Sequence, residues 1–69
     1  MIGATRRGRV TEFDAQVGLG RITTDDGDVV PFQCIEIADG TRTIDEGESV
    51  VFETLAKLGR YEAANIRPA

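Results

Sequence analysis

Eight glycines break this 69-residue chain into short segments, and within them apolar residues alternate with polar ones more than they follow a helical period. That pattern predicts short strands joined by turns. Val10–Phe13 is β-branched or aromatic at three of four positions and precedes a turn at Asp14-Ala15-Gln16. Leu19–Thr24 leads into Asp25-Asp26-Gly27-Asp28, whose Asp-Gly step favours a tight hairpin. Val29–Cys34 is the third strand, and its Pro31, unable to donate to a ladder, belongs at an edge or a bulge. Val30, Phe32 and Cys34 are apolar while Pro31 and Gln33 lie between them, which turns Phe32 toward the core. Glu48–Leu55 is the fourth strand, its Val50-Val51 pair arguing against a helix. Arg60–Ile66 is the fifth, with Pro68 just past its end. The polar stretch from Ile35 to Gly47 is a long connection with room for one helical turn. Five short strands separated by turn signals predict an all-β, five-stranded small barrel.

Composition then limits what such a barrel can do. A chain of this length holds one domain with one core, and no repeat or linker divides it. There is no histidine, so Ser-His and Cys-His pairs and the usual general acid/base are excluded. The single cysteine, Cys34, supplies neither an internal disulfide nor a zinc site, and is expected as a small buried apolar group. Asp25, Asp26 and Asp28 lack the spacing and later glutamate of a calcium loop, and Gly18-Leu19-Gly20 lacks the third glycine and helix of a dinucleotide fingerprint. These features imply a binding or interaction module with no metal and no cofactor, rather than an enzyme. No run of about 20 apolar residues is available to span a membrane. The residues Met1 to Arg6 lack the apolar stretch of a secretory signal, so the expected location is the cytoplasm.

Charge is unevenly distributed. The formal net charge is −4, from 8 basic and 12 acidic residues. Residues 1–24 carry four positive and two negative side chains, residues 25–53 one and nine, and residues 54–69 three and one. A barrel that brings its first and last strands together would gather the basic ends on one face; the alternative is an ordinary solvated surface. Arg6, Arg7 and Arg9 either create a local positive field or form a disordered basic tail. Lys57 and Arg60 flank the last hairpin, as phosphate contacts or as a soluble tip.

In order and spacing these segments resemble the bacterial cold-shock protein family, a five-stranded OB-type barrel. Gly8-Arg9-Val10-Thr11-Glu12-Phe13-Asp14 is similar to that family's opening G-x-V-K-W-F-N, and Gly18-Leu19-Gly20-Arg21-Ile22 to its G-F-G-F-I motif. Asp25-Asp26-Gly27 matches its D-D-G turn, Asp39-Gly40 and Asp45-Glu46-Gly47 its long loop, Val50 and Phe52 its V-x-F, and Ala63-Ala64-Asn65-Ile66 its closing A-x-N-V. The resemblance covers residues 8–67. It implies a flexible N-terminal extension at 1–7, an OB-fold-like cold-shock barrel at 8–67 and a tail at 68–69.

The resemblance also implies a function: single-stranded RNA or DNA binding, by stacking bases on aromatic rings while basic groups hold phosphates. Carried over by position, Glu12 replaces a Trp of that platform, Leu19 and Arg21 replace two Phe, and Phe13 survives. Each lost stack removes roughly 1–3 kcal/mol, so binding should be weak and dominated by electrostatics. The third strand is two residues shorter than the family's between Gly27 and Asp39, leaving two registers. With Phe32 inward, Gln33 takes an exposed family His position; in the other register Phe32 takes it. The implied interface is Arg9, Phe13, Leu19, Arg21, Gln33, Lys57 and Arg60. Glu12 and Leu19 motivate an alternative, a degenerate barrel serving as a protein-interaction or regulatory module without nucleic-acid binding.

Overall fold

The computed structural model describes residues 2–69. Five strands form one antiparallel sheet: β1 (Ile2–Asp14), β2 (Leu19–Thr24), β3 (Val29–Gln33), β4 (Ser49–Lys57) and β5 (Arg60–Pro68). Their order across the sheet is β3-β2-β1-β4-β5. A single 3-10 turn, Cys34–Glu36, opens the long connection. Turn chemistry accounts for the hairpins: Gly18, Gly27 and Gly59 all take positive φ at the tips joining β1–β2, β2–β3 and β4–β5.

The strand boundaries depart from the sequence reading mainly at the amino end. Thr5 to Arg9 lie opposite Glu53 to Ser49, so from Ile2 onward the stretch expected as an extension belongs to β1. The physical reason is that β4 offers it a free edge. Met1 lies outside the described residues. β3 stops at Gln33 because Cys34 turns away, its N–H donating to the Gly18 carbonyl at 2.8 Å.

The expected barrel is a curled sheet that does not close. β3 and β5 are its two edges and pack against each other without a ladder between them among the described residues. Pro31, in the middle of β3, has no N–H to offer across that seam. One end of the seam is tied, where Ile37 bridges to Ile66 and the Ala38 N–H donates to the Ile66 carbonyl at 2.8 Å. The first and last strands are therefore not neighbours, since β4 separates them. Arg7 and Arg67 do share a face, because both sit opposite Val51 from its two sides.

Inside the curl lie Val10, Ile22, Val30, Ile37, Val50, Phe52, Ala63 and Ile66, together with Phe32 at 1% exposure. Burial of each large apolar side chain contributes about 1.5–3 kcal/mol, and a domain this small relies on nearly all of them. The alternation in β3 thus turns Phe32 inward, as expected, and leaves Pro31 and Gln33 half-buried on the other face. Cys34 is half-buried and packs against the core.

A bulge in β1 fixes what its next residues face. Val10 pairs with Ile22 and Glu12 with Arg21, so Thr11 is an extra residue. Strict alternation from the buried Val10 would point Glu12 inward and Phe13 outward. The extra residue reverses both. Glu12 is exposed and Phe13 packs against the core.

Candidate functional site

The cross-strand register assembles the outer face of β1, β2 and β3 in rows. Asp14, Leu19 and Gln33 form one row, and Glu12, Arg21 and Pro31 the next. Where these rows meet the start of β5, a groove of about 330 Å³ opens. Leu19, Arg21, Pro31 and Gln33 line it from one side and Arg60 and Glu62 from β5, with Glu12 and Asp14 at the β1 end. The unclosed seam between β3 and β5 is what brings β5 into this site.

Four of the seven residues expected at the interface, Leu19, Arg21, Gln33 and Arg60, converge on the groove. Lys57 stands beside it, opposite Arg60 across the last hairpin. Arg9 is one row further along the same face, and its guanidinium donates to the Gly47 carbonyl at 2.8 Å. Phe13 is elsewhere. It lies on the core side of β1, its ring parallel to that of Phe32 with centroids 6.0 Å apart.

Every cation at the groove has a carboxylate partner. Arg21 and Glu12, neighbours across β1 and β2, approach to 3.3 Å with both side chains exposed. Such an exposed pair contributes at most about 1 kcal/mol and yields readily to a competing anion. Glu62 differs, because its side chain is only 6% exposed. Arg60 Nη2 donates to its Oε2 at 3.1 Å, while Lys57 Nζ stands 3.6 Å from Oε1, which has no hydrogen-bond partner. A buried carboxylate requires this neutralisation, so Glu62 depends on both cations and partly offsets their field.

Three other carboxylates are held below their ordinary range by local donors. The Thr24 hydroxyl, followed by Arg6, lowers Asp26. The backbone N–H and hydroxyl of Thr41 lower Asp39. The Asn65 amide, then Arg67 and Thr5, lower Glu53. Arg6 is also within 2.9 Å of Asp28, which ties it to the acidic β2–β3 turn. Of the three clustered arginines, Arg6 contacts this turn and Arg9 the Gly47 carbonyl, and strand alternation sends Arg6 and Arg7 to opposite faces.

Chemically, the groove combines one aliphatic wall, one amide that both donates and accepts, and two guanidinium planes. Guanidinium groups stack on flat rings and pair with phosphates. Among the lining residues that the sequence did not place at the interface are Asp14, Val17, Pro31 and Glu62. A signal for Glu62 existed: the two-residue hairpin at Leu58-Gly59 places Lys57 opposite Arg60, two residues before Glu62.

A statistical description of the "Cold-shock" DNA-binding domain matches residues 6–69. The chain is similar to "Cold shock protein 1" of Lactiplantibacillus plantarum, 37% identical over 65 residues, covering 91% of this chain and 97% of that protein. It is also similar to "Cold shock-like protein CspC" of Bacillus cereus, 37% identical over 62 residues, with coverages of 87% and 94%. "Cold shock protein CspC" of Bacillus subtilis is 35% identical over 65 residues, with coverages of 91% and 97%.

Proposed function

This chain belongs to the cold-shock domain family, and we propose that it binds single-stranded RNA or DNA, weakly and chiefly through electrostatics, along the groove on β2, β3 and β5. The observation that carries this reading is the convergence of Leu19, Arg21, Gln33 and Arg60 on one groove. In the bound state Arg21 exchanges its exposed carboxylate partner for a phosphate, while Arg60 keeps Glu62 and offers its remaining N–H groups to another. Gln33 meets a base edge and Leu19 gives a base an apolar surface. The net charge of −4 opposes this only at long range, since screening limits distant charges to roughly a Debye length of 8 Å at physiological salt. The protein acts as a binding module in the cytoplasm, not as an enzyme.

Fluorescence anisotropy of a labelled single-stranded oligonucleotide, DNA and RNA in turn, tests the reading at low and moderate salt. Saturable binding that weakens steeply with salt is expected, because released counterions supply much of the driving force. Arg21→Ala should weaken it further. Absence of binding at low salt would favour the second reading, a protein-interaction module. That reading draws on the carboxylates Glu12 and Glu62, which neutralise the groove's cations in place.

A further inference from the structure

Tyr61 is 64% exposed, although a tyrosine offers a large apolar ring to whatever covers it. It lines a second groove, of about 380 Å³, with Val29, Pro31, Arg60 and Arg6. Pro31 and Arg60 belong to both grooves, so the second continues the first along the seam between β3 and β5. Arg60 stands between them with its side chain 70% exposed. The Arg6 side chain is 30% exposed and held by two carboxylates, Asp26 and Asp28, whereas Arg60 is far more exposed and held by one, so Arg60 is the more available phosphate contact of this stretch.

We propose that Tyr61 is a base-stacking residue, and that a single strand follows the β3–β5 seam so that one base lies on its ring while Arg60 holds the adjoining phosphate. The proposal deepens the nucleic-acid-binding reading above and rests on it. Three observations select a nucleotide as the occupant: an exposed aromatic face, a neighbouring exposed guanidinium, and continuity with the groove that carries the other basic and amide groups. Stacking needs no base identity, which suits a site with few hydrogen-bonding groups. The outer face of β1 and β2 carries no aromatic ring, so this one supplies the π-surface that Glu12, Leu19 and Arg21 do not.

The experiment uses the fact that the chain has one tyrosine and no tryptophan, so its intrinsic fluorescence reports Tyr61 alone. An unlabelled single-stranded DNA heptamer is titrated into the protein while emission is followed. The same heptamer, labelled, is titrated in parallel by anisotropy. Expected is saturable quenching of tyrosine emission with the same midpoint as the anisotropy change. Tyr61→Leu should weaken binding about 5- to 150-fold, and Tyr61→Phe should stay near wild type. The exposed position makes both variants compatible with folding. Binding by anisotropy with unchanged tyrosine emission, or with Tyr61→Leu at wild-type affinity, would overturn this inference and leave the nucleic-acid reading standing. No anisotropy change at low salt would overturn both.

Discussion

The rings of Phe13 and Phe32 lie parallel, with centroids 6.0 Å apart and planes within 3° of each other, on the core side of the sheet. Gly20, the Cα partner of both, makes the arrangement possible. A Cβ there would run into the Phe32 ring and come within 2.7 Å of the Glu12 carbonyl. Gly20→Ala should therefore displace Phe32 and destabilise the fold by about 1–3 kcal/mol, the usual cost of overpacking. Phe32→Ala should cost about 3–5 kcal/mol, enough to unfold much of a domain this small. Urea unfolding followed by circular dichroism measures both; an unchanged midpoint for Gly20→Ala would contradict the described packing.

The β4–β5 hairpin turns through Leu58 and Gly59, both at positive φ, and Leu58 is fully exposed. A leucine there pays the left-handed penalty, about 1–2 kcal/mol, with no burial to offset it. Asparagine tolerates this conformation and is the preferred partner of glycine in such turns. Leu58→Asn should raise stability by about 0.5–1 kcal/mol, read as a higher urea midpoint. Loss of stability would contradict a fully exposed, left-handed Leu58.

Acid should loosen the protein through three carboxylates. Glu53 is lowered from its ordinary 4.5 by Asn65 and Arg67, Asp26 from 3.8 by Thr24 and Arg6, and Asp39 from 3.8 by Thr41. A depressed folded value means the unfolded chain binds the proton more readily. Their stabilisation is therefore complete above the ordinary values and is lost as pH falls through the lowered ones. Glu53→Gln should reduce stability at neutral pH and flatten the acid limb of a stability–pH curve. An acid limb as steep as that of the wild type would show that Glu53 does not contribute to it.

Glu12 restrains Arg21 at the surface, where substitution leaves the core untouched. Glu12→Gln should free that guanidinium for phosphate. Affinity for a single-stranded oligonucleotide should rise, most at low salt, because Arg21 then meets the phosphate without first giving up a carboxylate. Unaltered affinity would place the bound strand away from Arg21.

Much of the fold could be read from the chain. The Asp25–Asp28 turn, the β-branched Val50-Val51 pair and the Val30-Phe32 alternation each reflect a local rule that the structure obeys. Phe13 was not legible, because a one-residue bulge at Thr11 reverses which face it occupies, and no residue type there announces a bulge. The open seam was equally hidden. Pro31 signals an edge, but not that β5 would lie across from it and bring Glu62 and Tyr61 to the grooves along the seam. Contacts between distant edges depend on how far the sheet curls, which alternation within single strands does not encode.

On the proposed function, one surface, the outer face of β2 and β3 with the start of β5, receives a single strand. Amide chemical-shift mapping of labelled protein during titration with a single-stranded oligonucleotide tests it most directly. Expected are progressive, salt-sensitive shifts concentrated at Leu19, Arg21, Gln33, Arg60 and Tyr61, with Thr41 and Thr43 on the long connection unmoved. Shifts centred on that connection, or none at low salt with protein in the tens of micromolar, within the roughly 1–100 µM range typical of non-specific binding, would contradict it.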